Sequence, residues 1–310
     1  MLASHDRIYY IMDNYPKVSI IVLNWNGLKD TIDCLESVKR ITYPNYEIIV
    51  VDNASSGDDV EVLKEKFGNY IYIIQNDKNY NCAGGRNIGI RHVLNNSIPD
   101  YILLLDNDTV VHPQFLNEMV EVAKKDCSIA IAGPKTYFFS NGKKLQFTTA
   151  KIHIWTGHIV VPDIGKIDSE QYNDIQDTDY CQGSCFLMRR EIIEKIGLFD
   201  TTYAVYFEET DYCLRAKRAG FRNVYCPRSM IWHKQNSSTG TSIAVYYLTR
   251  NKFLFMKNHA SRSQRATFLL YYFAFDFWVT GGHFLIRRRS IRHFISFLIG
   301  VKDGIWLFCS

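Results

Sequence analysis

The chain has 310 residues, of which 47% are hydrophobic and 22% are charged. This composition supports one large buried core with a smaller extension and excludes a disordered chain. The eight cysteines include no C-x-x-C pair, and the N-terminus lacks the pattern of a secretory signal, so we expect a reducing, cytoplasmic environment.

The net charge of +4 is unevenly distributed along the chain. Residues 241–310 hold ten Lys and Arg but only two acids, Asp276 and Asp303, so this part is basic and the rest is acidic. Because the basic residues alternate with long apolar runs, the pattern favours an anionic lipid surface as partner and argues against nucleic acid.

Strand-like and helix-like segments alternate through the first half of the chain. Residues 18–23 are apolar except for Ser19, a pattern typical of a strand buried on both faces of a parallel sheet. Residues 30–40 then place Ile32, Leu35 and Val38 on one helical face. The alternation predicts an α/β fold with a doubly wound, mostly parallel sheet. Further strands are predicted at 47–51, 70–74, 101–105 and 129–133, and further helices at 59–67, 85–95, 113–125, 190–196 and 209–219, with short strands and loops at 134–180.

Two of the predicted strands end in acidic residues. Asp52 follows the strand at 47–51, and Asp106-Asn107-Asp108 follows the strand at 101–105. Ligands of such sheets bind beyond the carboxyl ends of the strands. The Asp106 and Asp108 pair suits a hard divalent cation shared with phosphates, although a turn whose acids bind backbone amides has the same pattern. Asp52 at the same edge favours the cation, since three converging carboxylates would repel one another.

A glycine-rich stretch, residues 79–89, opens the predicted helix at 85–95. Its small residues would let the backbone approach a ligand closely. The polar residues 52–56 offer hydrogen-bonding side chains to a base or a ribose, or form a simple turn. Residues 79–89 do not read G-x-G-x-x-G and follow the third strand instead of the first, which disfavours a dinucleotide oxidoreductase.

Two further candidates lie in the second half. Glu208, Glu209 and Asp211 begin a helix, and three acids exceed what the helix dipole requires, so one of them could serve as general base for an acceptor hydroxyl. His233 ends a predicted strand and is either a packing or surface residue or a metal ligand.

Together, these segments resemble glycosyltransferase family 2, the inverting enzymes with the GT-A fold, and specifically its rhamnosyltransferase-like branch. The resemblance runs from Val18 to about Lys234. It rests on the order of seven segments, at residues 18–27, 50–55, 79–89, 105–108, 182–184, 207–211 and 232–233.

The resemblance implies a role for each matching residue. Asp52 would contact the base of the donor, Asp106 its ribose or phosphate, and Asp108 the metal, with His233 as a second protein ligand. The predicted metal ligands are thus Asp108, His233 and Asp106, for Mg²⁺ or Mn²⁺. The predicted donor-binding residues are Asn24, Asn26, Asp52, Asn53, Asn79, Gly84, Gly85, Asn87, Asp106 and Asn107.

On the acceptor side, the resemblance places Gly183 and Ser184 beside the acceptor. Many relatives have Glu-Asp at the helix start, with the Asp as base, whereas this chain has Glu208-Glu209. Glu209 is the best match for the base, and Glu208 and Asp211 remain rivals.

The implied reaction moves a sugar from a nucleotide-diphosphate sugar, with dTDP-rhamnose or a UDP-sugar favoured, to a hydroxyl of a cell-surface glycan or a lipid-linked saccharide. Two alternatives stay open. A sugar-phosphate nucleotidyltransferase needs a glycine-rich basic loop after the first strand, which residues 24–27 do not supply. A non-catalytic nucleotide-sugar-binding subunit of a polysaccharide assembly complex is opposed by the complete set of acids and His233.

The predicted organisation is an N-terminal extension at 1–16, a catalytic domain at 17–240 and a basic, aromatic-rich helical tail at 241–310. The catalytic domain divides into a nucleotide-sugar-binding half, 17–133, and an acceptor-side half, 134–240. The oligomeric state stays open.

Within the tail, residues 268–286 are nearly all apolar and are followed by Arg287-Arg288-Arg289. The length permits a membrane span, but Asp276 at its middle would cost about 3 kcal/mol at the bilayer centre. We therefore expect residues 261–310 to lie on the anionic inner face of the cell membrane. The alternative is that these aromatic residues cover the catalytic domain or a partner subunit.

Overall fold

The computed structural model describes residues 15–235 and 241–310, so all but the last two residues of the predicted N-terminal extension lie outside it. The described strands are β1 Val18–Asn24, β2 Tyr46–Asp52, β3 Tyr72–Gln75, β4 Tyr101–Asp106, β5 Thr109–Val111, β6 Ile129–Phe138, β7 Asn141–Phe147, β8 Lys151–His153, β9 His158–Val160, β10 Gln176–Asp177, β11 Cys185–Arg189 and β12 Arg222–His233. The described helices are α1 Leu28–Val38, α2 Asp59–Phe67, α3 Asn81–Asn96, α4 Phe115–Lys125, α5 Arg190–Ile196, α6 Glu208–Arg218, α7 Ser242–His259, α8 Arg262–Tyr271, α9 Phe277–Gly282 and α10 Ile291–Cys309.

One large sheet organises the molecule, in the strand order β10-β12-β6-β11-β4-β1-β2-β3. The run from β4 to β3 is parallel, and β11 enters antiparallel between β4 and β6. Outside that run, β5 pairs with the end of β12, and β8 and β9 form a separate hairpin. The predicted fold, a doubly wound and mostly parallel sheet, is confirmed.

The apolar run of β1 explains why helices cover both faces of the sheet. Val18, Ile20 and Val22 lie in the core on one side, under α1 and α4. Ile21 lies in the core on the other side, under α3. Alternate residues of a strand face opposite ways, so a strand with apolar residues on both faces needs a packed layer on each side. Asn24 at the end of β1 is then the first polar side chain to reach the crevice edge.

Several element boundaries differ from the prediction, by one to five residues. Helix α3 begins at Asn81, four residues before the predicted start, because the amide oxygen of Asn79 accepts a hydrogen bond from the Asn81 amide. Strand β3 begins at Tyr72, since residues 68–70 form a 3₁₀ turn. Strand β6 continues to Phe138, five residues past the predicted end, because it pairs in parallel with β12 along its length.

The four C-terminal helices pack onto the part of the chain that carries the sheet and onto each other. Turns of π-helix at Tyr272–Asp276 and His283–Arg287 continue α8 and α9 into a longer rod. Phe253, Phe268 and Phe297 form a third core together with Tyr203 and Phe207, which precede α6. Among residues 15–235 and 241–310, no helix combines the length and the apolar character that crossing a membrane requires.

The crossing of α3 over the sheet yields a stability prediction. A Cβ at Gly89 would lie 2.7 Å from Ile21 Cγ2 and 3.0 Å from Val51 Cγ2, whereas a Cβ at Gly282 would meet no atom within 4 Å. We expect Gly89→Ala to lower the free energy of unfolding by about 1–3 kcal/mol through overpacking. Gly282→Ala should be neutral or stabilise the protein by up to about 1 kcal/mol. Urea unfolding measures both, and equal effects would contradict the close approach of α3.

Candidate active site

A crevice of about 410 Å³ opens beyond the carboxyl ends of β1 and β4. Asp106, Asn107, Asp108 and His233 line one part of it, the first wall, and the start of α6 lines another part, the second wall. The remaining lining residues come from β9, from the segments before β11 and α6, from α3 and from α7. They include Cys82, Arg86, Ile159, Tyr180, Gln182, Gly183, Ser184, Tyr206 and Leu248. The crevice therefore lies where an open α/β sheet binds its ligands.

Three predicted metal ligands meet on the first wall. Asp106, Asp108 and His233 each offer one ligand atom, and these atoms lie within 4.8 Å of one another. The sheet register brings them together, because His233 at the end of β12 pairs with Thr109 at the start of β5, next to Asp108. Two carboxylate oxygens and one imidazole nitrogen suit Mn²⁺ or Mg²⁺. Among the described residues, no other cluster of this kind occurs.

The imidazole of His233 is oriented toward this cluster. Its Nδ1 lies 2.8 Å from Gln146 Oε1, an acceptor, so Nδ1 carries the proton of that hydrogen bond. Its Nε2 faces Asp108 Oδ1 at 3.1 Å. Burial lowers the pKa of His233, but the hydrogen bond and charge of Asp108 outweigh it, so the pKa lies above its ordinary value. When His233 is charged, Nε2 carries a second proton, and a cation bound at Nε2 would displace it. The hydrogen bond from Nδ1 to Gln146 would then hold the ring in the tautomer whose Nε2 binds the cation.

Arg86, which the sequence interpretation did not single out, connects the two walls. Its side chain is 5% exposed, and its Nη2 donates to Asp106 Oδ1 at 2.7 Å and to the carbonyl oxygen of Gly183 at 2.9 Å. Its Nη1 donates to Glu208 Oε1 at 3.2 Å. A buried cation between two acids stabilises both charged forms, and removing it would leave them uncompensated, at a cost of about 3–5 kcal/mol.

The two glutamates that begin α6 have different surroundings. Glu208 is buried against Arg86, and burial raises its pKa while the charge of Arg86 lowers it. Glu209 faces Gly183, since its Cδ lies 3.5 Å from the position of a Cβ on that glycine. Burial and the charge of Glu208 raise the pKa of Glu209 to about 8. Within the described part of the chain, Glu209 Oε2 has no hydrogen-bond partner.

The third candidate base, Asp211, does not line the crevice. Its carboxylate is buried and binds Arg215 at 2.8 Å and His259 at 2.7 Å. This corrects the prediction that Asp211 rivals Glu209: the side chain ties α6 to α7 and has no oxygen directed at a substrate.

Among the predicted donor-binding residues, Asp106 and Asn107 line the crevice, and the others are not among its lining residues. Asp52 is fully buried and accepts hydrogen bonds from Asn24 and from the amide and hydroxyl of Ser55. Asn24 also donates to Asp59 and accepts from Thr31. The carboxylate of Asp52 thus stabilises the turn after β2 and does not join the acids of the metal cluster, contrary to the expectation of three converging carboxylates.

The glycines of the glycine-rich stretch pack closely against neighbouring side chains. A Cβ on Gly85 would lie 2.5 Å from Leu23 Cδ1, and one on Gly84 would lie 2.9 Å from Tyr80 Cβ. Asn87 exchanges two hydrogen bonds with the backbone of Phe199. The remaining predicted donor contacts bond mainly to neighbouring loops, with Asn26 binding Ser56, and Asn53 binding Asn76 and Asn79.

The predicted acceptor-side residues, Gly183 and Ser184, do line the crevice. Gly183 accepts from Arg86, and a side chain there would press on the guanidinium at 3.1 Å. Ser184 Oγ is buried and, within the part of the chain that the structure describes, lacks a hydrogen-bond partner.

Comparison with known proteins identifies the family. The profile described as "Glycosyl transferase family 2" matches residues 19–197, more than half of the chain. The chain belongs to glycosyl transferase family 2. This glycosyltransferase is similar to the Low-salt glycan biosynthesis hexosyltransferase Agl10 of Haloferax volcanii, with 24% identity over 82% of this chain and 83% of that protein.

Solved structures of low sequence identity share its fold. The mannosyltransferase PcManGT from Pyrobaculum calidifontis, in complex with GDP-Man and Mn²⁺, matches with a TM-score of 0.60 and 14% identity over 94% of this chain and 88% of that one. GalNAc-T7 with UDP, GalNAc and Mn²⁺ matches with a TM-score of 0.60 and 16% identity over 77% of this chain and 48% of that one. The fold of this glycosyltransferase is therefore GT-A.

The proton on His233 yields a prediction about metal affinity. A cation that binds Nε2 displaces a proton whose pKa is raised, so Mn²⁺ should bind more tightly as the pH rises through that pKa. Titration calorimetry in buffers of differing ionisation heat measures both the affinity and the proton released.

Asp108→Ala should abolish the binding of Mn²⁺ and any Mn²⁺-dependent stabilisation by the donor while leaving the fold intact. Unchanged Mn²⁺ affinity in that variant would rule out the cluster as the metal site.

Proposed function

We propose that this glycosyltransferase moves a sugar from a nucleotide-diphosphate sugar to an acceptor hydroxyl by one direct, metal-assisted displacement that inverts the anomeric carbon. The observation that carries the proposal is the division of the crevice. A metal-ligating cluster of two acids and a histidine lies on one wall, and a carboxylate with a raised pKa lies on the other. A direct displacement uses two groups of this kind, because one supports the departing diphosphate and the other takes the proton of the attacking hydroxyl.

On the first wall, Asp106, Asp108 and His233 would hold Mg²⁺ or Mn²⁺, which supplies positive charge to the departing diphosphate. Arg86 fixes Asp106 through one oxygen and leaves the other available to the crevice. Asn107, which is hydrogen-bonded to Thr31, borders the same space.

On the second wall, Glu209 takes the proton of the acceptor hydroxyl. It lies beside Gly183, carries no ion pair with Arg86 and has a pKa that suits a base near neutral pH. Glu208 is less suited, because its Oε1 accepts from Arg86 and its side chain is 3% exposed. A covalent nucleophile is not required for this route.

The donor and acceptor follow from similarity and from the crevice. The two structural neighbours hold UDP with GalNAc and GDP-Man, Agl10 is named for glycan biosynthesis, and the family resemblance favours dTDP-rhamnose or a UDP-sugar. We propose a cell-surface glycan or a lipid-linked saccharide as acceptor. Ile159 and Leu248 add apolar surface to the acceptor side of the crevice. Screening dTDP-, UDP- and GDP-sugars for Mn²⁺-dependent thermal stabilisation identifies the donor.

Substitution of the two glutamates tests the assignment of the base. Glu209→Gln should keep donor affinity while kcat falls by roughly two to four orders of magnitude, the usual contribution of a positioned base. Release of nucleoside diphosphate with Mn²⁺ measures both quantities. Glu208→Gln is the matched control, and it should leave a much larger fraction of the rate. If Glu208→Gln is instead the slow variant, the base is Glu208 and not Glu209.

The pH dependence gives an independent check. Only the deprotonated Glu209 accepts a proton, so kcat should rise with pH toward a plateau, with an apparent pKa near 8. Glu208→Gln removes a neighbouring negative charge that raises that pKa, so its rate profile should move to lower pH. An identical pH–rate profile in the wild type and in Glu208→Gln would contradict the effect of Glu208 on the pKa of Glu209.

We further propose that the C-terminal helices rest on an anionic membrane at the inner face of the cell membrane. One side of α8–α10 builds the third core, while large apolar side chains on the other side face solvent, such as Leu270 at 74% and Ile286 at 78% exposure. The exposed stripe of α10 consists of Ile291, Ile295, Leu298, Ile299 and Trp306. Four exposed arginines border these surfaces, namely Arg287, Arg288, Arg289 and Arg292. An amphipathic surface of this kind suits the headgroup boundary.

The position of Asp276 supports this orientation. Its carboxylate does not face the exposed side, because it binds His158 at 2.7 Å and Lys252 at 3.4 Å. The acid that argues against a membrane span is therefore turned toward the catalytic part, and the outer side of the rod keeps its apolar and basic character.

Liposome sedimentation tests the surface. Removing residues 261–310 is unsuitable as a test, because Phe268 and Phe297 belong to the core that packs against Tyr203. Replacing the four arginines by Gln should weaken binding to phosphatidylglycerol vesicles by about 4 kcal/mol, or roughly a thousandfold, at low salt. An equal charge change at exposed lysines elsewhere, namely Lys64, Lys125, Lys143 and Lys144, serves as control. Equal binding by the two variants would refute the proposed surface.

A further inference from the structure

The loop that leads into α6 is strained. Ala204 has φ 62° and ψ −65°, and the Val205 amide donates to the Tyr203 carbonyl oxygen at 2.7 Å, which together define a γ-turn of the rare positive-φ type. Tyr206 and Phe207 follow with φ of 63° and 72°. Three positive-φ residues with side chains, clustered next to the glutamates of the crevice, form a conformation that persists only when its surroundings impose it.

Asn251 on α7 supplies that constraint. Its side chain is fully buried, and its Nδ2 lies 2.8 Å from the carbonyl oxygens of Tyr203, Val205 and Tyr206. An amide NH₂ has two hydrogens, so the three acceptors share them and lock the amide in one orientation. Its Oδ1 accepts from Arg250 Nη1, and Nη2 of the same arginine donates to the Thr202 carbonyl oxygen.

The loop held in this way leads directly into the helix that carries Glu209, and it is hydrogen-bonded to the helix that carries Arg86. Phe207 is the N-cap of α6, so the direction of the loop sets where Glu209 points. The Ala204 carbonyl oxygen accepts from the Ala83 amide in the first turn of α3. Tyr206 and Phe207 themselves line the crevice. A displacement of this loop would therefore move the carboxylate of Glu209 relative to Gly183.

We infer that Asn251 is a positioning residue for glycosyl transfer, through which the C-terminal helices hold the base loop, residues 203–207, in its strained conformation. This inference rests on the proposed role of Glu209. It also explains why the C-terminal helices form one core with the loop, since Phe253 and Phe255, on the same helix as Asn251, pack in the cluster that contains Tyr203 and Phe207.

Asn251→Asp tests the inference with almost no change in shape, because it replaces the donating NH₂ by an oxygen that faces three carbonyl oxygens. We expect kcat for nucleoside diphosphate release to fall by roughly a hundredfold, the usual effect of moving a catalytic group by about 1 Å. The donor KM should change by less than about threefold. Both are measured with Mn²⁺ and the donor that the wild type accepts from a panel of UDP-, dTDP- and GDP-sugars.

Val301→Ala is the matched control, since Val301 lies in the same core but outside the base loop. Val301→Ala should lower the melting temperature and leave kcat at the wild-type value, measured at a temperature where both proteins are folded. Arg250→Met removes the hydrogen bond to Asn251 Oδ1 and the one to the Thr202 carbonyl oxygen, just before the base loop, so this partly exposed variant should fold readily and lower kcat by roughly tenfold. This variant keeps the test decisive if Asn251→Asp does not fold.

The outcomes separate the inference from the proposed function. An inactive wild type with every donor of the panel overturns the proposed function. An active wild type with normal kcat in both Asn251→Asp and Arg250→Met overturns the positioning role. The positioning role is also overturned if Val301→Ala and Asn251→Asp have the same melting temperature and lose kcat to the same extent. The loss would then follow from lower stability alone.

Discussion

The crevice depends on one buried guanidinium. Arg86 binds Asp106 on the metal wall, Glu208 on the base wall and the carbonyl oxygen of Gly183 between them. Four carboxylates border this space, and without a cation at its centre they would repel one another and take up protons. Arginine fits the position better than lysine would, because its planar fork donates to several acceptors in fixed directions. The close packing of α3 on β1 is what keeps that fork in place.

The same arrangement separates two neighbouring glutamates into different roles. Glu208 forms an ion pair with Arg86 and is held as part of the framework, whereas for Glu209 burial and the charge of Glu208 outweigh the lowering effect of Arg86 on its pKa. Its raised pKa is therefore a consequence of the framework, and the same carboxylate in water would be too weak a base. The positive-φ loop before α6 and the amide of Asn251 complete this framework from the side of the C-terminal helices. The tail is thus tied to the active site through hydrogen bonds as well as through the apolar core.

The sequence predicted the sheet and the metal cluster well, because both depend on local patterns. Buried strands produce apolar runs, and acids directly after them must lie at the crevice, which located Asp106 and Asp108. It did not predict the close packing of Gly84 and Gly85, since a glycine that admits a ligand and one that admits a neighbouring side chain look alike. Arg86 and Gln146 escaped notice because their importance comes from residues more than fifty positions away, such as Glu208 and His233. Asn251 could not be found either, since its partners are backbone carbonyl oxygens that any sequence provides.

The central claim is a single displacement with Glu209 as base and the metal cluster at the leaving group. The anomeric configuration of the product tests it most directly, because one displacement inverts that carbon and two displacements restore it. The transferred sugar, labelled with ¹³C at the anomeric position, is followed by NMR in the glycoside product formed by the wild-type protein with Mn²⁺. The account predicts a product with the anomeric configuration opposite to that of the donor, and a product that retains the donor's configuration would contradict it.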